Sequence, residues 1–288
     1  MSAARATTRR FSRRTLLRTG TGIVAGLAVG EGAYGALYER HQLGVTRADL
    51  PCRTLPDALD GLRIGLITDT HHSGWTSLEF IAEAVALVRE ADPDLVVLGG
   101  DYVTHRNRRY LGDAAAPFAA LRPREGLFAV LGNHDDTTEM PRILRRAGVT
   151  TLHDARTRLT VRGEPIDLVG LDYWTRDMPT LRRLLRGRAP FTVMLAHDPR
   201  RLREAAALDL PLVLSGHTHG GQVGLLRLGL QGTVVSALSK VPDHGPWALG
   251  TGRLYVHRGT GHYGFPLRIG VPAERSVLHV HGLRAASA

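Results

Sequence analysis

Leu95-Val-Val-Leu-Gly-Gly-Asp101 decides the fold: four apolar residues without helical spacing, two glycines that turn the chain, then a carboxylate. A short apolar run of this kind is the pattern of a buried strand. Four more stretches repeat its logic, each ending on side chains able to bind a metal. They are Ile64-Gly-Leu-Ile-Thr-Asp69-Thr-His71, Phe128-Ala-Val-Leu-Gly-Asn133-His134-Asp135, Val193-Met-Leu-Ala-His197 and Leu212-Val-Leu-Ser-Gly-His217-Thr-His219. In layered α/β architectures, sites gather just beyond the carboxyl ends of such strands. The chain therefore reads as α/β, with one site fed by five separate segments.

Working outward, helix-like and strand-like stretches alternate from about residue 62. Thr76-Ser-Leu-Glu79 reads as a capping box, with Thr76 as the first cap, and Phe80, Ile81, Ala84, Val85 and Val88 follow at helical spacing. Pro93 stops that helix. Further helices are expected over residues 141–147, 179–185 and 199–207, each with a proline near its start. Beyond His219 the pattern changes to short β-like pieces rich in glycine, at 233–236, 253–257 and 276–281. These suggest an antiparallel, loop-rich end to the same domain.

At 288 residues the chain supports one large domain, and 43% hydrophobic with 22% charged residues is ordinary for a folded protein. The net charge of +10 is unevenly spread: eight arginines against Glu31 and Glu39 give +6 within residues 1–47, leaving +4 for the rest. So mild a surplus attracts phosphates without implying a nucleic-acid-binding face, and no specific nucleic acid is expected. Cys52 is the only cysteine, which excludes an internal disulfide and a thiolate-rich zinc site.

Ser12-Arg13-Arg14-Thr15-Leu16-Leu17-Arg18, followed by a mildly apolar stretch over 20–37, has the arrangement of a bacterial twin-arginine export signal. Glycine content and Glu31 argue against a permanent span, since a charge at mid-bilayer costs about 2.5–3.5 kcal/mol. Ala28-Val-Gly30 and Ala33-Tyr-Gly35 only approximate cleavage sites. The expected organisation is a signal and linker over 1–47 and one domain over 48–288. The twin-arginine machinery is the expected export partner, and the expected place is outside the cytoplasm, in the periplasm or wall or tethered to the membrane.

The donor set limits the chemistry. Asp69 and Asp101 offer carboxylates, Asn133 a neutral carbonyl, and His71, His197, His217 and His219 imidazole nitrogens, which favour transition metals over magnesium or calcium. Seven donors exceed what one tetrahedral ion takes, and they suit two ions sharing a carboxylate. Such a pair holds a phosphate ester, lowers the pKa of a bridging water and stabilises both attacking and leaving oxygens.

The series Asp69-x-His71, Gly100-Asp101, Gly132-Asn133-His134-Asp135, His197 and Gly216-His217-x-His219 resembles the calcineurin-like metallophosphoesterase superfamily over roughly residues 60–275. Gly-Gly-Asp-Tyr102, Ser215-Gly-His-Thr-His-Gly-Gly-Gln222-Val, and Arg258-Gly-Thr-Gly261 with Pro266-Leu-Arg-Ile look most like its exported bacterial phosphodiesterases. The resemblance implies a four-layer α/β/β/α sandwich with two central mixed sheets. It also implies that Asp69, His71 and His219 hold one divalent ion and Asn133, His197 and His217 another, with Asp101 bridging. The metals implied are Mn, Zn or Fe. His134 would assist at the substrate, Asp135 would orient His134, and a bridging hydroxide would attack phosphorus. Purple acid phosphatases carry a tyrosine where this chain has Thr104, so a tyrosinate-bound ferric centre is not implied.

The expected activity is hydrolysis of a phosphoester, in particular a phosphodiester. The alternatives are a phosphomonoesterase, a nucleotide-sugar pyrophosphatase, or an exported module that binds phosphate or a wall polymer. His262, in a glycine-rich loop bordering the site, is carried as a substrate contact. His72 adjoins the first motif and reads as lying behind the ligands or exposed, while His105, His153, His244, His257, His279 and His281 have no matched spacing and read as ordinary residues.

Overall fold

Leu95 and Val97 face one way, Val96 and Leu98 the other, and all four are buried. A strand apolar on both faces must lie between two layers. The computed structural model, which describes residues 13–283, shows which layers these are. Its strands are β1 (Leu43–Cys52), β2 (Leu62–Ile67), β3 (Leu95–Leu98), β4 (Leu127–Ala129), β5 (Thr150–Thr151), β6 (Ala155–Val161), β7 (Glu164–Leu171), β8 (Phe191–Ala196), β9 (Leu212–Ser215), β10 (Gly245–Leu249), β11 (Gly252–Val256) and β12 (Ala273–Gly282). They form two six-stranded mixed sheets, ordered β1-β12-β2-β3-β4-β5 and β10-β11-β9-β8-β7-β6.

The inward faces meet in one core. Ile64, Leu66, Leu95 and Val97 of the first sheet join Leu168, Val193, Leu195, Leu212 and Leu214 of the second. Helix α1 covers residues Arg13–Leu37 and helix α2 covers Leu78–Glu90. The first sheet turns its other face, with Val96 and Leu98, onto Ile81, Val85 and Val88 of α2. The second turns Met194, Val213 and Val256 onto Leu181 and Leu202 of two short helices, Met178–Leu184 and Leu202–Ala207. The result is the four-layer α/β/β/α sandwich. Strands β2, β3 and β4 run parallel in one sheet and β7, β8 and β9 in the other, so each sheet gathers parallel carboxyl ends at one edge.

Several local expectations are corrected. The cap of α2 is Ser77, whose hydroxyl accepts from the Phe80 amide at 3.3 Å, while Thr76 is buried. Residues 233–236 are not a strand. Thr233 caps the helix Val234–Leu238 in a reciprocal pair with Ser236, a Ser/Thr capping preference that outweighs the β-branched composition. The carboxyl-terminal part belongs to the same domain, as expected, but is antiparallel only in places, as where β10 pairs with β11. Strand β11 pairs parallel with β9, and β12 returns to the first sheet, antiparallel to β2 and parallel to β1.

Strand β1 begins at Leu43, inside the stretch assigned to signal and linker. Its mixed composition disguises it, because as an edge strand it alternates buried and solvent-facing residues. Just before it, the end of α1 rests on the body: a Cβ on Gly35 would lie 2.4 Å from Arg268 O, and Glu39 accepts from the Gly270 amide at 2.9 Å. Among the described residues no helix is long and apolar enough to cross a membrane. Ser12, which opens the twin-arginine pattern, lies outside the described residues.

Candidate metal centre

Each expected donor sits on the first residues after a parallel strand, where the backbone bends sharply. Asp69, His71, Asp101, His217 and His219 all have positive φ, between 45° and 74°. Non-glycine residues adopt that conformation only when their surroundings hold them in it, and such strain clusters at functional sites. Two glycines make room. A Cβ on Gly216 would lie 2.1 Å from Asp69 Oδ2, and one on Gly132 would lie 2.0 Å from Asp101 Oδ1.

The bends bring six donors into two groups: Asp69, His71 and His219 in one, Asp101, His197 and His217 in the other. Within each group the donor atoms lie within 4.8 Å of one another. His71 Nε2 and His219 Nε2 stand 3.1 Å apart, and Asp101 Oδ2 is 3.0 Å from His197 Nε2 and 3.7 Å from His71 Nε2. Asp101 thus touches histidines of both groups. Asn133, the seventh donor, has a buried Oδ1 with no hydrogen-bond partner, and its neighbour His134 donates its amide to Asp101 Oδ1 at 2.8 Å.

Do these residues fit cations? Burial lowers the pKa of His71 to about 3 and of His217 to about 4, and drives His219 well below its usual value. All three are neutral near pH 7, each with a lone pair to give. Burial would also lower His197, but the Asp101 and Asp69 carboxylates outweigh it and raise it to about 10. Burial would raise Asp101, yet the neighbouring imidazoles, His197 foremost, hold it far below the carboxylate range. His197 and Asp101 therefore form a buried ion pair where a cation would take the place of the proton. Facing imidazole nitrogens, an orphaned amide oxygen and clustered carboxylates are together a donor set made for metal.

The outer contacts orient these donors. His197 Nδ1 donates to Gly99 O at 2.8 Å, leaving Nε2 free to coordinate. His71 Nδ1 meets the Thr104 hydroxyl at 3.0 Å. Both oxygens of Asp69 accept from the His217 amide at 3.0 Å, and Thr68 adds its hydroxyl to Oδ2.

Asp135 is placed differently from its expected role. It accepts the amides of Asp101, Tyr102 and Gly132, each at 2.8 Å, and so clamps the turn after β3 to the turn after β4. His134 is oriented instead by the His105 amide, which donates to its Nδ1 at 3.1 Å. His262 lines a cleft of about 750 Å³ beside the centre, with Trp75, Thr104, His105, Tyr110 and Tyr263. Both its nitrogens are engaged, Nε2 on Arg40 O at 3.1 Å and Nδ1 with the Thr76 hydroxyl at 3.4 Å. It braces the wall, and Tyr263, whose half-exposed ring lies 4.8 Å from that of His134, lines the same cleft.

Sequence reasoning missed Thr104, His105, Tyr263 and Arg268. Arg268 is fully buried and donates to the carbonyls of Arg258, Gly259, Gly261 and Val271, fixing the loop that backs Asp69. Its local signal was the quoted pairing of Arg258-Gly-Thr-Gly261 with Pro266-Leu-Arg-Ile. Thr104 and His105 carried none, because their partners are distant in sequence.

The calcineurin-like phosphoesterase profile matches residues 62–221, which carry every donor of the two groups. The metallophosphoesterase YkuE of Bacillus subtilis is 29% identical over 283 residues, 93% of this chain and 97% of that protein. The phosphodiesterase YaeI of Escherichia coli is 33% identical over 232 residues, 76% of this chain and 82% of that protein. A transmembrane protein with a metallophosphoesterase domain from Danio rerio is 32% identical over 273 residues, 88% of this chain. The chain spans 60% of the length of the Danio rerio protein and 57% of its Bos taurus counterpart. With the profile covering more than half of its length, the chain belongs to the calcineurin-like phosphoesterase family.

Proposed function

We propose that this protein hydrolyses phosphoric esters, phosphodiesters in particular, at a centre for two divalent transition-metal ions (Mn, Zn or Fe). One observation carries the reading: two three-residue donor groups share a wall at Asp101, with His71 Nε2 only 3.1 Å from His219 Nε2. Asp69, His71 and His219 would hold one ion, Asn133, His197 and His217 the other, with Asp101 between. When bound, the ions supply an activated water and neutralise charge on the phosphoryl group. The protein does the rest. His134 accepts the His105 amide at Nδ1, so its proton sits on Nε2, available to a phosphoryl or leaving oxygen. Tyr263 lines the cleft, and the exposed Arg106 is near enough to lower the pKa of His134, so a planar ring and a cation are at hand for an anionic ester.

The test is turnover of bis(p-nitrophenyl) phosphate by the full chain reconstituted separately with each metal. Asp101→Ala and His217→Ala should lose metal and activity together. Metal binding without turnover by the wild type would overturn the enzymatic reading in favour of a phosphate-binding module.

The same proposal places the protein outside the cytoplasm. Arg13-Arg14-Thr15-Leu16-Leu17 supports the twin-arginine route, and the exposed Val24, Leu27 and Val29 of α1 support a tether on a membrane or wall. Replacing Arg13 and Arg14 by lysine should keep the protein in the cytoplasmic fraction, and unchanged export would refute that route.

A further inference from the structure

Far from the centre, three donors meet on the outer face of the first sheet. Strands β1 and β12 are parallel, with Asp49 opposite His279 and Pro51 opposite His281. Leu50, Leu278 and Val280 point into the core between the sheets, so Asp49, His279 and His281 share the other face. Their donor atoms lie within 4.8 Å of one another. His281 Nε2 is 3.4 Å from Asp49 Oδ1, and the rings of His279 and His281 are 6.4 Å apart between centroids.

We propose that Asp49, His279 and His281 form a further site for a divalent transition metal of the zinc class, separate from the phosphoesterase centre. Two imidazoles and one carboxylate are a donor set that zinc accepts, with a fourth position left for water. The spacing is built into the ladder. Residues two apart on a strand face one side, and the register sets Asp49 beside them, so small side-chain rotations close the site.

The outer contacts match a ligating histidine. His281 Nδ1 faces Asp60 Oδ1 at 3.3 Å, and that oxygen also accepts the Gly282 amide at 3.0 Å. A carboxylate on one ring nitrogen fixes the tautomer and aims the other nitrogen at a metal. Here the aimed nitrogen is the one facing Asp49.

The site is distant from the catalytic donors. His279 pairs with Arg63 at the start of β2, six residues before Asp69, about 20 Å along the strand. A metal there would tie the edge strand β1 to β12.

The test is zinc content and melting temperature of the full chain after equilibrium dialysis against Zn²⁺. His279→Ala and Asp49→Asn should each bind one zinc fewer per chain than wild type, with unchanged phosphoesterase turnover. The zinc-induced rise in melting temperature should shrink in both. The Asp49 side chain is 82% exposed, so Asp49→Asn guards against misfolding as the cause. Equal zinc content in wild type and both variants overturns the site, whatever the turnover. Loss of turnover along with zinc also overturns it, since the metal lost would then belong to the catalytic centre.

Discussion

The backbone amide of His105 donates a hydrogen bond to His134 Nδ1 at 3.1 Å, and this places the proton of His134 on the opposite nitrogen. Burial keeps the ring below its usual pKa, which favours its neutral form. His134→Ala should keep its metals and lose about 10²–10⁴-fold in turnover, the range of a positioned proton donor. Metal analysis alongside steady-state kinetics checks this. A variant within threefold of wild type would remove His134 from the reaction.

Thr104 holds His71 from behind, hydroxyl to Nδ1 at 3.0 Å. Thr104→Val preserves volume and deletes that contact. Metal affinity should fall about 10- to 100-fold, as for other partners of ligating histidines, with little change in global stability. Competition with a chromophoric chelator measures it, and unchanged affinity would show the contact to be incidental.

Arg268 is a buried guanidinium spread over four carbonyl oxygens. Arg268→Leu leaves those acceptors unpaired, at about 1–3 kcal/mol for each that water does not reach. A loss of at least about 3 kcal/mol in denaturant unfolding is expected. Activity should fall with it, because Gly261 of the same loop donates to Asp69 O at 2.8 Å. Arg268→Lys should recover part of the stability, and a loss below 1 kcal/mol in the leucine variant would contradict the bracing role.

His257 is fully buried, and its Nδ1 accepts the Gly259 amide at 2.9 Å. Burial lowers its pKa from 6.5 to about 4. The unfolded chain therefore binds a proton between those values that the folded chain refuses. The stabilisation is complete above pH 6.5 and drains away as the pH falls towards 4, on the order of 3 kcal/mol in all. Unfolding free energies of wild type and His257→Gln across that window should converge as the solution is acidified. Parallel curves would refute the assignment.

Strand and helix were legible wherever both the pattern and the partner were local. The runs ending at Asp69, Asp101 and His197 became β2, β3 and β8. Strand β1 escaped because an edge strand with Val45, Arg47 and Asp49 facing solvent has no continuous apolar run. Helix Val234–Leu238 escaped because Val234 and Val235 favour strands, while the capping pair that decides the matter uses serine and threonine, which are common in loops. Thr76 and Ser77 compete for one cap, and packing of Thr76 against His262 settles it.

The amino-acid order by itself put seven candidate donors at the ends of apolar runs. Short continuous apolar runs and the glycines after them are properties of neighbouring residues. Only the tertiary structure showed which candidate donors come within reach of one another and what the residues around them do. Asp135 meets Asp101 across 34 positions, His71 meets Thr104 across 33, and His262 meets Arg40 across 222. A hydrogen bond fixes a side chain's role within about 3 Å, and chain separation says nothing about which groups will come that close.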